Sequence, residues 1–538
     1  MTQTQDAARA GPTHYDAVVV GGGFAGLYSL HKLRGQGLKV RAYEAGDGVG
    51  GTWFWNRYPG ARVDIQSLEY SYQFDEDLQQ QWAWSERYAP QSELLDYANH
   101  VADRFNLWPD IQLNTQVTAA HLDEAAGVWL VATSAGDAVT ADNLVMATGC
   151  LSSANMPSFE GLDSFKGRTF HTGRWPKAPV DFSGRRVGVI GTGSSAIQSI
   201  PLIAAQAAHL TVFQRTANYS VPAHNGPIPE AVVRDVKSRY ADYRAANNAT
   251  ALGADWDYRT DTAMEHSHEE RVAEYERRWA RGGLSFYGSF VDLLTDPVAN
   301  NTAAEFIRGK IRQIVKDPAV AERLCPTAAL ACKRICVDTG YYDTFNRPNV
   351  TLVDIRAAPI VAVTPGGLRT ADAEYALDDL VFATGFDAMT GTLMRMDIQG
   401  VGGLALKDAW AEGPKNYLGL CVAGFPNLFI IAGPGSPSVL TNMLPSIEQH
   451  VNWIAQTIAD LRKRGLKRIE ARVDAQEAWV AHVNETAAPT ILPTCNSWYL
   501  GANIPGKPRV FMPYLGFAPY VAKCDEVVAN GYEGFELA

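Results

Sequence analysis

The residues best placed to do chemistry are two glycine turns and the charges that follow them. Gly21-Gly22-Gly23-Phe24-Ala25-Gly26 comes directly after the apolar run Ala17-Val18-Val19-Val20 and opens a helical pattern with Leu27, Leu30 and Leu33 on one face. This is the order a dinucleotide pyrophosphate requires. One glycine makes the turn, another admits the phosphates to the backbone, and a third lets helix and strand pack closely, with the helix N-terminus facing the anion. A second run, Lys39 to Tyr43, ends at Glu44, 23 residues after Gly21, where a carboxylate can bond ribose hydroxyls. The pattern recurs at Val187-Gly188-Val189-Ile190 followed by Gly191-Thr192-Gly193-Ser194-Ser195-Ala196. Here the next strand, Leu210 to Phe213, leads into Gln214-Arg215-Thr216, and Arg215 lies 24 residues after Gly191. A guanidinium at that place suits a 2′-phosphate, which a carboxylate would repel. The first site therefore reads as FAD or NAD, and the second as NADP.

These turns imply an α/β protein with two Rossmann-like dinucleotide-binding domains. Two further apolar runs, Asn143 to Met146 and Asp379 to Phe382, each end in Ala-Thr-Gly, at Ala147-Thr148-Gly149 and Ala383-Thr384-Gly385. Taken as boundaries, they predict an FAD-binding domain over residues 1–150 and 388–538, with an NADP-binding domain over 151–223 and 331–387 inserted in it. Residues 224–330 read as a helical insertion in the second domain. Within it Thr302 and Glu305 have capping-box spacing, and Asp317-Pro318 reads as an N-cap followed by an N1 proline. His266 and His268 lie among Glu265, Glu269 and Glu270 and read as a solvated helix face rather than a metal site. Cys332 and Cys336 lack the further ligands a zinc site needs and read as structural thiols.

With 538 residues, 46% hydrophobic and 20% charged, the chain can bury a large core. Its net charge of -11 has the wrong sign for nucleic-acid binding through the overall field. Residues 1–16 hold no apolar stretch that could direct export, and seven scattered cysteines fit reduced thiols, so a cytoplasmic setting is expected. The uncharged stretch from Asn416 to Ile447 is interrupted by glycine and proline and predicts buried strand and turn, not a membrane span.

The segment Phe165-Lys166-Gly167-Arg168-Thr169-Phe170-His171-Thr172-Gly173-Arg174-Trp175-Pro176 resembles the FxGxxxHxxxWP signature of Baeyer-Villiger monooxygenases. Gly50-Gly51-Thr52-Trp53 with Tyr58-Pro59-Gly60 and Asp64 resembles the family's other signature. The likeness continues through Cys332-Lys333-Arg334, Gly433 to Ser438 and Ser497 to Lys507, and is strongest to the phenylacetone and steroid monooxygenase branch. The segment Tyr514 to Phe517 is one glycine shorter than in that branch.

The resemblance implies FAD and NADPH as cofactors, with a ketone and O2 as substrates and an ester or lactone as product. No obligate protein partner is implied. Attack on a ketone carbonyl develops an oxyanion, which calls for a fixed cation. The resemblance assigns that cation to Arg334 and the acid that holds it to Asp64. It places Gly51, Thr52, Trp53, Asp64, Tyr70, Val117 and Met443 at the flavin. Arg215, Thr216, Lys333, Arg334 and Trp498 fall at the NADP. Phe165, Gly167, His171 and Trp175 then order the linker between domains, His171 by hydrogen bonds rather than as a base. Cys150, Ser438, Val439 and Leu440 would line an apolar substrate pocket, with Cys150 a bland lining residue. A flavin N- or S-monooxygenase is the alternative within the class. A non-catalytic FAD- and NADP-binding redox sensor is the alternative outside it.

Overall fold

The computed structural model describes residues 12–538. The reading of residues 1–16 as free of an export signal falls largely outside them. Two sheets carry the fold. The first runs Ile111–Gln112, Val40–Tyr43, Thr13–Val20 and Ala138–Met146 in parallel, then turns antiparallel through Val128–Thr133 and Val117–Asp123 before Asp397–Gln399 closes its edge. Leu428–Ile430 also pairs with Ala138–Met146. The chain thus leaves this sheet after Met146 and returns at Asp397. Between those points lies a second, wholly parallel sheet ordered Val350–Asp354, His209–Gln214, Arg186–Ile190, Asp379–Phe382 and Arg168–His171.

Backbone geometry explains the glycine turns. Gly21 has φ +114°, and a Cβ on Gly26 would lie 1.9 Å from the Gly21 carbonyl oxygen, so the helix Phe24–Gly35 meets its strand only without side chains there. Gly191 repeats the conformation with φ +113°, and Ala196, fully buried, occupies the third small position at the start of helix Ser194–Gln206.

The edge strand Arg168–His171 is tied to its neighbour electrostatically. The fully buried Asp379 carboxylate accepts from Arg168 Nε at 2.8 Å and from Arg185 Nη2 at 2.9 Å. Burial opposes its charge, but the two guanidiniums outweigh that and hold its pKa below the usual carboxylate value. Trp175 stacks on Phe170, with ring centroids 5.1 Å apart, and so folds the signature segment back on its own strand.

Residues 230–324 contribute five helices, among them Pro297–Ile314 and Pro318–Leu324. Asp317 caps the latter through the Ala319 and Val320 N–H groups, in line with the spacing. The capping box read at Thr302 is corrected. The helix starts a turn and a half earlier, capped by Asp296, and Thr302 bonds the Ala299 carbonyl from inside it. His266 is also not on a helix face. It precedes the capped helix His268–Arg281 and bonds Asp261 at 2.6 Å. The expectation that all seven cysteines are reduced is overturned as well. Cys332 and Cys495, 163 residues apart, form a disulfide with Cα atoms separated by 5.4 Å, while the other five thiols are buried and free. No helix among the described residues is long and apolar enough to cross a membrane. Residues 416–447 are almost entirely buried, mostly turn with the strand Leu428–Ile430, and the helix Met443–Arg464 begins within them.

Candidate active site

At the first turn the Glu44 carboxylate accepts the Gly22 and Gly46 N–H groups, both at 2.7 Å. Burial raises its pKa and these two bonds oppose the rise. A Cβ on Gly51 would stand 2.9 Å from Gly23 Cα, so the loop at Gly50 and Gly51 rests on the turn itself, and Gly50 N–H bonds the Gly22 carbonyl. Thr52 and Trp53 begin the short helix Thr52–Trp55 there, and Trp53 donates to the Tyr70 hydroxyl at 3.3 Å. Glycines whose missing side chains open a cradle at a helix N-terminus, with a held carboxylate beside it, fit an adenine dinucleotide. Val117 is buried two residues past Thr115, whose N–H bonds the Glu44 carbonyl. Met443 opens the helix Met443–Arg464, capped by Asn442.

At the second turn, a Cβ on Gly193 would meet only open space within 4 Å. Thr192 donates to the Thr216 carbonyl, Ser195 bonds Thr172, and the Ser194 hydroxyl lies 3.4 Å from Cys336 Sγ. Arg215 is exposed and Lys333 half-buried. Burial, then the nearby charges of Arg215 and Arg356, push the Lys333 pKa down. None of these three cations has a carboxylate partner among the described residues. Three cations without carboxylate partners suit a dianion, and Arg356 is the one that sequence spacing missed, because it follows a later strand, Val350–Asp354, that only the parallel sheet brings alongside His209–Gln214.

Arg334 is reached through the strand Cys336–Asp338, which pairs in parallel with Ser220–Pro222 just beyond Arg215. Its guanidinium makes a two-pronged ion pair with Asp64, Nε to Oδ2 at 2.6 Å and Nη2 to Oδ1 at 3.1 Å, and Nη1 donates to the Val439 carbonyl at 3.2 Å. Burial works against its charge, but Asp64 more than offsets this and raises its pKa above the ordinary arginine value. The structure thus brings Arg334, Asp64 and Val439 together across 270 residues of sequence. Ser438 adjoins them, its hydroxyl bonding the Ala432 carbonyl and facing Met389, whose N–H bonds the Cys150 carbonyl. Burial pushes the Cys150 thiol up to about 11, so it stays protonated. Leu440 follows on the same turn, Ser438–Leu440.

His171 accepts the Gly173 N–H at 2.9 Å and its other nitrogen lies 3.3 Å from the Thr384 hydroxyl. Burial lowers its pKa, which leaves a neutral ring joining the signature strand to the second Ala-Thr-Gly turn. Gly167 is required by crowding, since its Cβ would lie 2.3 Å from the Asp378 carbonyl oxygen, and Phe165 packs in the second sheet's core. Trp498 is half-buried and packs on Tyr499, ring centroids 4.4 Å apart.

Two glycine turns, each at the end of a strand in a parallel run, joined by a half-buried arginine–carboxylate pair, define a protein of the two-dinucleotide flavoprotein oxygenase class. The flavin-binding monooxygenase-like family model matches residues 15–226. A Baeyer-Villiger monooxygenase from Pseudooceanicola batsensis is 45% identical over 98% of this chain and 97% of its own. A phenazine N-monooxygenase from Lysobacter antibioticus is likewise 45% identical, over 98% and 97%. Among solved structures, an oxidized steroid monooxygenase bound to NADP superposes with a TM-score of 0.94 at 53% identity, over 98% of this chain and 99% of that one. The chain belongs to the Baeyer-Villiger monooxygenase family.

Proposed function

We propose that this chain is an NADPH-dependent, FAD-containing Baeyer-Villiger monooxygenase. One oxygen atom of O2 enters beside a ketone carbonyl, giving an ester or lactone, and the other leaves as water. The observation that carries this reading is the Arg334–Asp64 pair, a cation held by a carboxylate from 270 residues away and next to the Val439 carbonyl. When bound, FAD supplies the hydride acceptance and O2 activation that side chains lack. The residues of the chain hold and orient. Gly21, Gly23 and Gly26 admit one pyrophosphate and Glu44 its ribose, while Gly191, Gly193 and Ser194 hold the other. Arg334, kept charged by Asp64, faces the oxyanion that develops on the attacked ketone. Cys150, Ser438, Val439 and Leu440 form an apolar wall for an aryl, cyclic or steroidal ketone.

Purified protein should be yellow, and ketone should accelerate NADPH oxidation with ester appearing by gas chromatography. A colourless protein that cannot be reconstituted with FAD would sink the reading. The similarity to a phenazine N-monooxygenase favours N-oxygenation as the second reading. Product analysis with a ketone, an N-heterocycle and a sulfide separates the two. A sensor would instead reduce its flavin once and stall without oxygenated product.

Cofactor choice offers a sharper test. Replacing Arg215 by alanine removes one of three cations from the proposed 2′-phosphate site. Each charge-assisted contact contributes about 1.5–3 kcal/mol, so KM for NADPH should rise roughly ten- to a hundredfold while KM for NADH barely changes. Steady-state kinetics with both cofactors decide it, and equal effects would refute the assignment.

A further inference from the structure

The disulfide joins two segments that, among the described residues, share apolar packing but no hydrogen bond. Residues 488–516 follow the helix Val473–Ala487 with only two short 3-10 turns, Leu492–Thr494 and Trp498–Leu500. The far part of this loop is pinned to the chain after the second Ala-Thr-Gly turn, by Asn503 donating to the Phe386 carbonyl at 2.7 Å and by Lys507 bonding Asp387 at 2.6 Å. Its near part is different. No hydrogen bond among the described residues connects 488–502 to 326–335. The Ser497 hydroxyl is buried there without a partner. Beyond the apolar packing that Leu330 and Ile335 share with Leu492 and Tyr499, the covalent bond is what couples Cys495, three residues before Trp498, to Cys332, which directly precedes Lys333 and Arg334.

We propose that Cys332 and Cys495 form a reversible thiol–disulfide site whose oxidation latches the Trp498 loop over the nicotinamide cofactor. The proposal rests on the reading of Lys333 and Trp498 as NADP residues. Both sulfurs are buried, but Pro493, Thr494 and Asn496 beside Cys495 are exposed, so a small oxidant or dithiol has only a short way to reach the pair. With hydrogen peroxide as oxidant, one sulfur takes an oxygen atom as the O–O bond breaks and a water leaves. The second thiol then displaces that oxygen as another water, forming the S–S bond. Two thiols lose two electrons and two protons, and one peroxide becomes two waters. A dithiol reverses this by two exchange steps.

Oxidation pre-orders the loop, so less freedom is lost when NADP+ binds, and affinity should differ by about tenfold between the two forms. The flavin-loaded protein is treated with hydrogen peroxide or dithiothreitol, alkylated, digested without reductant and mapped by mass spectrometry. NADP+ dissociation constants are measured in parallel by calorimetry. A peptide cross-linked through Cys332 and Cys495 should appear after peroxide and vanish after dithiothreitol. NADP+ should bind about tenfold more weakly to the reduced form, and Cys495→Ser should show that weaker value after either treatment. Absence of the cross-link after peroxide would overturn the proposal. So would a cross-link that raises the melting temperature but leaves NADP+ affinity unchanged within about twofold, the mark of a purely structural staple. Failure of both forms to bind NADP+ would overturn the cofactor reading and the latch with it, while the peptide map still reports on the thiol chemistry alone.

Discussion

Arg334→Ala is expected to abolish ester formation while leaving FAD binding intact. The guanidinium is bonded to Asp64 and the Val439 carbonyl, not to the first glycine turn, so its loss removes a charge from the proposed reaction site and frees Asp64 while leaving the glycine cradle and Glu44 unchanged. Loss of one oxyanion donor commonly costs about a hundred- to a thousandfold in rate, and the charge here is held in a partly dry site where it counts for more. Anaerobic NADPH should still bleach the flavin at a measurable if slower rate, since hydride transfer precedes attack on the ketone. The electrons should then escape to O2 as hydrogen peroxide. Stopped-flow absorbance reads the first half, and ester and peroxide assays read the second. A variant that makes ester at near wild-type rate would show that the cation lies elsewhere.

Gly26→Ala should yield a protein that cannot keep FAD. The added Cβ would sit 1.9 Å from the Gly21 carbonyl oxygen, a backbone atom that cannot swing aside, so the helix Phe24–Gly35 must move off its strand. Overpacking of this kind costs about 1–3 kcal/mol, and if that strain falls on the phosphate cradle, flavin affinity drops roughly five- to a hundredfold. The ratio of flavin to protein absorbance after gel filtration measures it. Retention of stoichiometric FAD would mean that the helix tolerates the shift and that the first turn is not the flavin's anchor. Gly193→Ala is the contrast, since a Cβ there meets open space, and it should leave FAD content unchanged.

Much of this site can be read from the chain because the governing constraints are local. A turn at φ +114° that also lets a helix cross within contact of the strand admits only glycine, so Gly21 and Gly26 mark themselves. The periodic apolar runs around them indicate strand and helix for the same reason. Glu44 and Arg215 follow because a single strand–turn–helix–strand unit sets their distance from the turn. Where local rules compete, sequence reading errs. Thr302 and Glu305 match a capping box, yet Asp296-Pro297 caps the helix earlier and leaves Thr302 inside it. Isolated spacing cannot say which of two good caps the tertiary packing of Ala299, Ala303 and Ile307 will select.

By itself, then, the sequence determined the two nucleotide turns, the strands that carry them and the kinds of charge beside each, since these depend on backbone conformation over a few residues. Tertiary structure alone decided which distant groups meet. Asp64 finds Arg334 across 270 positions, Arg356 comes near Arg215 because the strand before it pairs with the strand that ends at Gln214, and Cys332 finds Cys495 across 163. No local rule encodes those pairings. They arise when the second sheet is inserted between two halves of the first and the C-terminal loop folds back over the seam, so that burial of both cores forces the contact.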